Sequence, residues 1–163
     1  MAATQFKDVL PKAICEELIA TVPNMSEMFE SFSGQVLPRK EINRDWSYNF
    51  YRISKDEASS YFKYIEAILP NAEIKSFRLI HYPPKTRIGL HRDGWMESDG
   101  ESNHGLIIQL NDPQSYKGGH LMVNNIMMNM NIGDATLYHY SDPHEVKMVK
   151  SGNRWIANLR LMM

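Results

Sequence analysis

ATLYHYSDPHEVKMVKSGNRWIANLRL, residues 135–161, is the stretch whose reading decides the fold. Two β-prone runs, Ala135 to Tyr140 and Trp155 to Leu161, flank the turn signals Asp142-Pro143 and Ser151-Gly152-Asn153. The same texture runs back toward the N-terminus. Ile74 to Tyr82, Gly89 to Asp93, Gly105 to Leu110, His120 to Val123 and Ile126 to Met130 are further short runs. Pro83-Pro84, Asp99-Gly100, Asn111-Asp112-Pro113, Gly118-Gly119 and Gly133-Asp134 separate them. Many short strands at near-regular spacing predict an antiparallel sandwich or barrel. Before residue 73 the periodicity becomes helical. Pro11 to Ala20 carries Ile14, Leu18 and Ile19 on one face and should stop at Pro23-Asn24. Ser54 followed by Glu57 is a capping-box signature, and Ala58, Tyr61, Phe62, Ile65 and Ile68 predict a helix from about 55 to 69. Trp46 to Ile53 between them reads as a strand. The expectation is one mainly β (α+β) domain over 1–163, with 1–72 as support, 73–163 as the β core, and both helices on one outer face.

Composition narrows the classes. At 163 residues the chain can bury about 70% of its unfolded surface, and 43% hydrophobic with 23% charged residues excludes disordered, collagenous and coiled-coil chains. A net charge of −1 gives no global attraction to phosphate backbones or anionic membranes. Arg39, Lys40, Arg44, Lys85, Arg87 and Arg92 are scattered and read as a solvated surface, so a nucleic-acid partner is not expected. The single cysteine, Cys15, excludes an intrachain disulfide and fits a reducing, cytoplasmic setting. The N-terminus has no signal-type apolar region, and no stretch approaches the ~20 apolar residues of a membrane span. Met127, Met128 and Met130 alternate with asparagine and read as strand and core filling.

The chemistry-bearing residues lie in the β region. His91 and Asp93 sit two apart in a predicted strand, which would put an imidazole and a carboxylate on one face. His144, just after a turn, can supply a third ligand from a neighbouring strand. Two histidines and a carboxylate leave coordination positions open, the arrangement that suits non-haem Fe(II) handling dioxygen. A surface hydrogen-bonded pair is the plain alternative for His-x-Asp taken alone. Arg154 shares parity with Ile156, Asn158 and Arg160 on the last strand, and an arginine facing into a barrel needs an anion. Its fork matches a carboxylate such as a dicarboxylic co-substrate presents.

YPPKTRIGLHRD (82–93), LND (110–112), GGHLMV (118–123), GD (133–134) and HEVKMVKSGNR (144–154) resemble the 2-oxoglutarate and Fe(II)-dependent oxygenases of the prolyl 4-hydroxylase-like type. The resemblance spans roughly residues 77–162. It implies a double-stranded β-helix, a jelly-roll of cupin-like kind, with His91, Asp93 and His144 as iron ligands and Arg154 on the far carboxylate of 2-oxoglutarate. It also implies Tyr82 as a hydrogen-bond partner of the co-substrate; core filling is the other reading of that residue. Gln109 stands where the family has an aromatic or threonine and can still donate to the co-substrate. Arg160 stands where peptidyl-proline members have tryptophan near the substrate, which points to a more polar or anionic substrate; an arginine reaching solvent from the strand end is the alternative.

The remaining features carry less. His139 could rival His144 as a ligand or sit at the rim, His120 has no readable role, and His104 and His81 read as structural. The polar segment Gly94 to Asn103 looks like a lid or substrate loop. The reading is an Fe(II)- and 2-oxoglutarate-dependent dioxygenase that uses O2 to hydroxylate a C–H bond, most simply in a peptidyl, prolyl-type substrate, with release of succinate and CO2. Asparaginyl, small-molecule or alkylated-nucleobase substrates fit the same chemistry, and a non-catalytic cupin-like binding module is the rival from another class. The oligomeric state is not readable.

Overall fold

Alternation along the strand Arg154–Met162 builds two cores at once, because successive side chains leave opposite faces of the sheet. Ala157, Leu159 and Leu161 enter one apolar cluster, and Ile156, flanked by Arg154 and Asn158, enters the other. The computed structural model describes residues 3–94, 96–97 and 100–163. In it this strand is central to a seven-stranded sheet. The order is Thr4–Phe6, Ala135–His139, His104–Gln109, Arg154–Met162, Glu73–Tyr82, Asn49–Ile53 and Lys40–Ile42, and every pairing is antiparallel.

The outer face of this sheet is covered by helices. Lys12–Thr21 brings Cys15 and Leu18, and the segment Lys55–Ile68 brings Ala58, Tyr61 and Ile65, onto Phe77, Leu79, Leu106, Ile108 and Leu159. Burial pushes the Cys15 thiol up to about 11, so it is an inert apolar filler. The inner face meets a four-stranded antiparallel sheet ordered Ile126–Met127, Leu121–Val123, His144–Val146 and Ile88–His91. Leu121, Val123 and Val146 from the small sheet pack on Ile80, Tyr82, Ile107, Tyr138 and Ile156 from the large one. The mainly β architecture with helices on one face is as expected.

Several local expectations need correction. The helix expected over 55–69 starts on its capping box, with Ser54 and Glu57 bonding reciprocally, but it is broken by a 3-10 turn at Ser59–Tyr61. There the Ser59 hydroxyl donates back to the Asp56 carbonyl and competes with the helix ladder. The strand expected from Trp46 begins only at Asn49, because the Asn43 side chain accepts from the Asp45 and Trp46 amides and folds 43–48 into a turn. The strand expected over 126–130 is Ile126–Met127 only; Met127 is exposed, while Met128 and Met130 do pack against the inner core. Arg39 is no surface cation: at 4% exposure it forks onto Glu57 and donates to the Ser26 and Arg52 carbonyls.

Of the segment Gly94 to Asn103, residues 95, 98 and 99, and with them the lid expectation there, lie outside the described residues. The flanking backbone pairs Met96–Glu97 with Gly100–Glu101. Among the described residues no helix is long and apolar enough to cross a membrane.

Candidate metal centre and its anion anchor

In the small sheet His144 is the direct cross-strand partner of His91. Register therefore sets two imidazoles side by side, with ring centroids 4.3 Å apart. Asp93 reaches them by a different route from the one expected. The strand ends at His91, so Asp93 is brought in by the chain beyond the strand, and period-2 alternation does not explain it. Its Oδ1 lies 3.1 Å from His91 Nε2 and 3.3 Å from His144 Nε2. One ligand atom from each of the three residues falls within 4.8 Å of the others, the one such cluster among the described residues.

The protonation pattern favours a cation. His91 Nδ1 lies 2.8 Å from the Gly89 carbonyl and His144 Nδ1 3.0 Å from the Asp142 carbonyl. A carbonyl only accepts, so each Nδ1 carries the hydrogen and each Nε2 lone pair points at the carboxylate. Three acceptors facing one another need a shared proton or a metal ion between them. Burial acts to raise the Asp93 carboxyl, but with a proton on the facing Nε2 atoms the hydrogen bonds from His144 and His91 outweigh it and hold the carboxyl well below the usual carboxylate range. The same shared proton, held by Asp93, raises His91.

Tyr138 touches the cluster directly and is missed by sequence reasoning. Its hydroxyl donates to Asp93 Oδ2 at 2.8 Å and so fixes the carboxylate from behind. Burial, with the Asp93 charge, pushes this phenol far above its ordinary range, so it remains a donor. The signal is its inward parity on the strand with Thr136, but its target, Asp93, is remote in sequence and lies beyond the end of the strand Ile88–His91. Gly105, cross-strand from Tyr138, makes room for the ring: a Cβ there would collide with its Cζ, Oη and Cε1 atoms.

The candidate anion anchor lies on the facing seven-stranded sheet. Arg154 is 2% exposed and pairs across from Tyr82, over whose ring its guanidinium lies at 5.4 Å. Its Nε donates to Gln109 Oε1 at 3.3 Å, and its Nη1 is buried without a partner among the described residues. An unpaired buried cation costs several kcal/mol, so the site fits an anion that is supplied from outside the chain. Gln109 differs from expectation. Both hydrogens of its amide are engaged, by the Asn111 carbonyl and the Tyr116 hydroxyl, so it orients Arg154 and has no free donor for a ligand. Tyr82 is buried and lines a cavity of about 50 Å³ together with His91, Asp93, His144, Tyr138 and apolar walls. One ring thus joins the Arg154 guanidinium to the histidine-carboxylate cluster.

Arg160 does face inward. Its Nη1 donates to the Tyr140 hydroxyl at 3.0 Å, and its charge reaches Asp93 and Tyr138. His139 is not drawn into the cluster; its ring meets His104 edge-on at 4.9 Å. His81 stacks on Trp155 at 4.4 Å and bonds Asn49 and Asn153, a structural role as read. His120 is exposed and, with Arg154, Gln109 and Leu121, lines a further cavity of about 420 Å³.

Comparison with known proteins agrees with this geometry. The model of the 2OG-Fe(II) oxygenase superfamily matches residues 77–160. A PKHD-type hydroxylase of Prochlorococcus marinus (strain MIT 9211) is 32% identical across 52% of this chain and 44% of its own length. The match thus spans less than half of that relative. The viral collagen prolyl hydroxylase of Paramecium Bursaria Chlorella virus-1, solved as its 2OG complex, superposes with a TM-score of 0.72 at 14% identity, over 99% of this chain and 96% of its own. A prolyl hydroxylase from Trichoplax adhaerens, solved with a hypoxia inducible factor oxygen degradation domain peptide fragment, gives 0.67 at 17%, over 97% and 82%. At these identities the superpositions show the fold, the double-stranded β-helix.

Proposed function

This chain belongs to the 2OG-Fe(II) oxygenase superfamily, and from that premise we propose that it is a 2-oxoglutarate-dependent hydroxylase of a peptidyl C–H bond. The observation that carries the reading is the convergence of His91, Asp93 and His144 beside a buried arginine with an unpartnered nitrogen. A module that only binds a ligand has no need of both.

In this reading His91, Asp93 and His144 hold Fe(II), and Arg154 takes the distal carboxylate of 2-oxoglutarate. The bound iron and co-substrate supply the activation of O2, with succinate and CO2 released. The chain's own residues prepare that chemistry. The Gly89 and Asp142 carbonyls hold both imidazoles with Nε2 inward, and Tyr138 keeps the Asp93 carboxylate from turning. Gln109 and the Tyr82 ring fix the guanidinium, which pre-pays the ordering of a long side chain. Ile80, Ile88, Ile107, Leu121 and Ile156 make the cavity walls apolar and keep bulk water from the reacting centre.

Arg160 sets the substrate preference in this reading. A charge-assisted hydrogen bond of about 1.5–3 kcal/mol favours a peptide with an acidic or amide group near the target carbon over bare polyproline. The prolyl hydroxylases among the structural neighbours, one solved with a peptide, support a peptide substrate. The test is succinate release with Fe(II), 2-oxoglutarate and two peptide sets, one acidic or amide-bearing and one neutral and proline-rich. The first set should be turned over faster, Arg160→Ala should remove that advantage, and Arg160→Trp should favour the second. Equal turnover of both sets by the unaltered protein would overturn the assignment of Arg160; no succinate from any peptide or metabolite would overturn the enzyme.

A further inference from the structure

One short turn touches both halves of the site. Asn43 to Tyr48 leaves the edge strand Lys40–Ile42 and returns as Asn49–Ile53. Asn43 closes it: its Oδ1 accepts from the Asp45 and Trp46 amides, its Nδ2 donates to the Tyr48 hydroxyl, and its backbone N–H donates to the Tyr48 carbonyl. From this frame Trp46 lies against His91, with ring centroids 6.4 Å apart, and Tyr48 lies against Tyr82 at 5.4 Å. The indole also rests on Gly89, where an added Cβ would sit 3.0 Å from its Cζ2 atom. Gly89 is the residue whose carbonyl orients His91.

We propose that this turn is a two-point positioning element: Trp46 fixes the His91 imidazole and the Gly89 carbonyl behind it, while Tyr48 fixes the Tyr82 ring under Arg154. Asn43 keeps the two contacts in register. Neither aromatic ring needs to touch a substrate to act, since each works through a residue of the metal or co-substrate end. The inference rests on the oxygenase reading above.

The test separates the two ends by binding alone, on the full chain. Co(II) is titrated calorimetrically, and then 2-oxoglutarate is titrated at saturating Co(II). Trp46→Ala should weaken Co(II) about 10- to 100-fold, the usual loss when an outer partner of a ligand is removed. Its 2-oxoglutarate affinity at saturating metal should be unchanged. Tyr48→Ala should do the reverse, weakening 2-oxoglutarate about two- to tenfold. Trp46→Phe and Tyr48→Phe should each restore most of their loss. Asn43→Ala should weaken both ligands. Gly89→Ala, which displaces the indole without deleting it, should weaken Co(II) alone and gives a second reading if Asn43→Ala does not fold. Unaltered Co(II) affinity in both Trp46→Ala and Gly89→Ala would overturn the proposal, as would equal losses of both ligands in Trp46→Ala and in Tyr48→Ala. An unaltered chain that binds neither Co(II) nor 2-oxoglutarate would instead remove the oxygenase reading, and this inference with it.

Discussion

The two faces of the seven-stranded sheet are made by the same strands and obey different rules. On the helix side Leu79, Leu106, Ile108, Ala157, Leu159 and Leu161 are all apolar and buried. On the inner side the alternate residues of those strands include Tyr82, Gln109, Asn158 and Arg154, buried and polar, interleaved with Ile80, Ile107 and Ile156. A polar group loses its water on burial and must regain partners. The inner face meets that demand by hydrogen bonds among its own members, such as Arg78 to Asn158 and Arg154 to Gln109. Among the described residues it keeps Arg154 Nη1 buried without a hydrogen-bond partner, a donor that a ligand can take up. The difference teaches that the helix face holds the sheet together, while the inner face gives up some stability for preorganised groups.

If that division is right, substitutions on the two faces should fail in different assays. The largest effect belongs to Asp93→Ala: turnover should fall to background while the chain stays folded, the stability cost being limited to about 1–3 kcal/mol for the buried Tyr138 hydroxyl left without its acceptor. A cooperative loss of near-UV circular dichroism in this variant would break the division. Leu159→Ala, on the same strand as Arg154 but on the other face, should cost about 2–5 kcal/mol in denaturant unfolding. Turnover per folded molecule should be unchanged. Arg154→Ala should raise the 2-oxoglutarate requirement about 10- to 100-fold, from a charge-assisted contact of about 1.5–3 kcal/mol, with Co(II) affinity nearly unchanged.

The smallest effect concerns pH and the helix side. Burial acts to raise the Glu57 carboxyl, but Arg39 and the Ser54 amide outweigh it and hold the group below its ordinary range. The unfolded chain thus takes up the proton first. Glu57 contributes its stability above the ordinary carboxylate range and loses it as pH falls through the lowered folded value. The pair is half-exposed on the Glu57 side, so the contribution is under about 1 kcal/mol. Denaturant curves of the unaltered protein and Glu57→Gln should differ at neutral pH and converge in acid; a difference that grows toward acid would contradict the sign.

The sequence made residue types and spacings legible, and what it hid was register. His91, Asp93, His144 and Arg154 stand out because few other constellations need two imidazoles, a carboxylate and an inward arginine in short strands. The shared parity of Arg154, Ile156, Asn158 and Arg160 on Arg154–Met162 is as the alternation predicts. Asp93 was reached by the right residue and the wrong geometry, since the strand stops at His91. Tyr138, Trp46 and Tyr48 were hidden because each acts on a residue brought near only by the fold, and nothing in a linear pattern states that Tyr138 lies over Gly105 and meets Asp93. The strands Thr4–Phe6, Met28–Glu30, Val36–Pro38 and Lys40–Ile42 are too short for a period of two to be visible. Arg39 reads as surface in the sequence because its partners, among them Glu57 and the Ser26 and Arg52 carbonyls, converge only in three dimensions.

The central claim is that the histidine-carboxylate cluster and the buried arginine form one site for Fe(II) and 2-oxoglutarate together. Anaerobic titration of 2-oxoglutarate into the Fe(II)-loaded protein, followed by visible absorption, tests it directly. The account predicts a charge-transfer band that saturates at one equivalent in the unaltered protein, is absent in Asp93→Ala, and needs far more 2-oxoglutarate in Arg154→Ala. No band in the unaltered protein, or an undiminished band in Asp93→Ala, would contradict it.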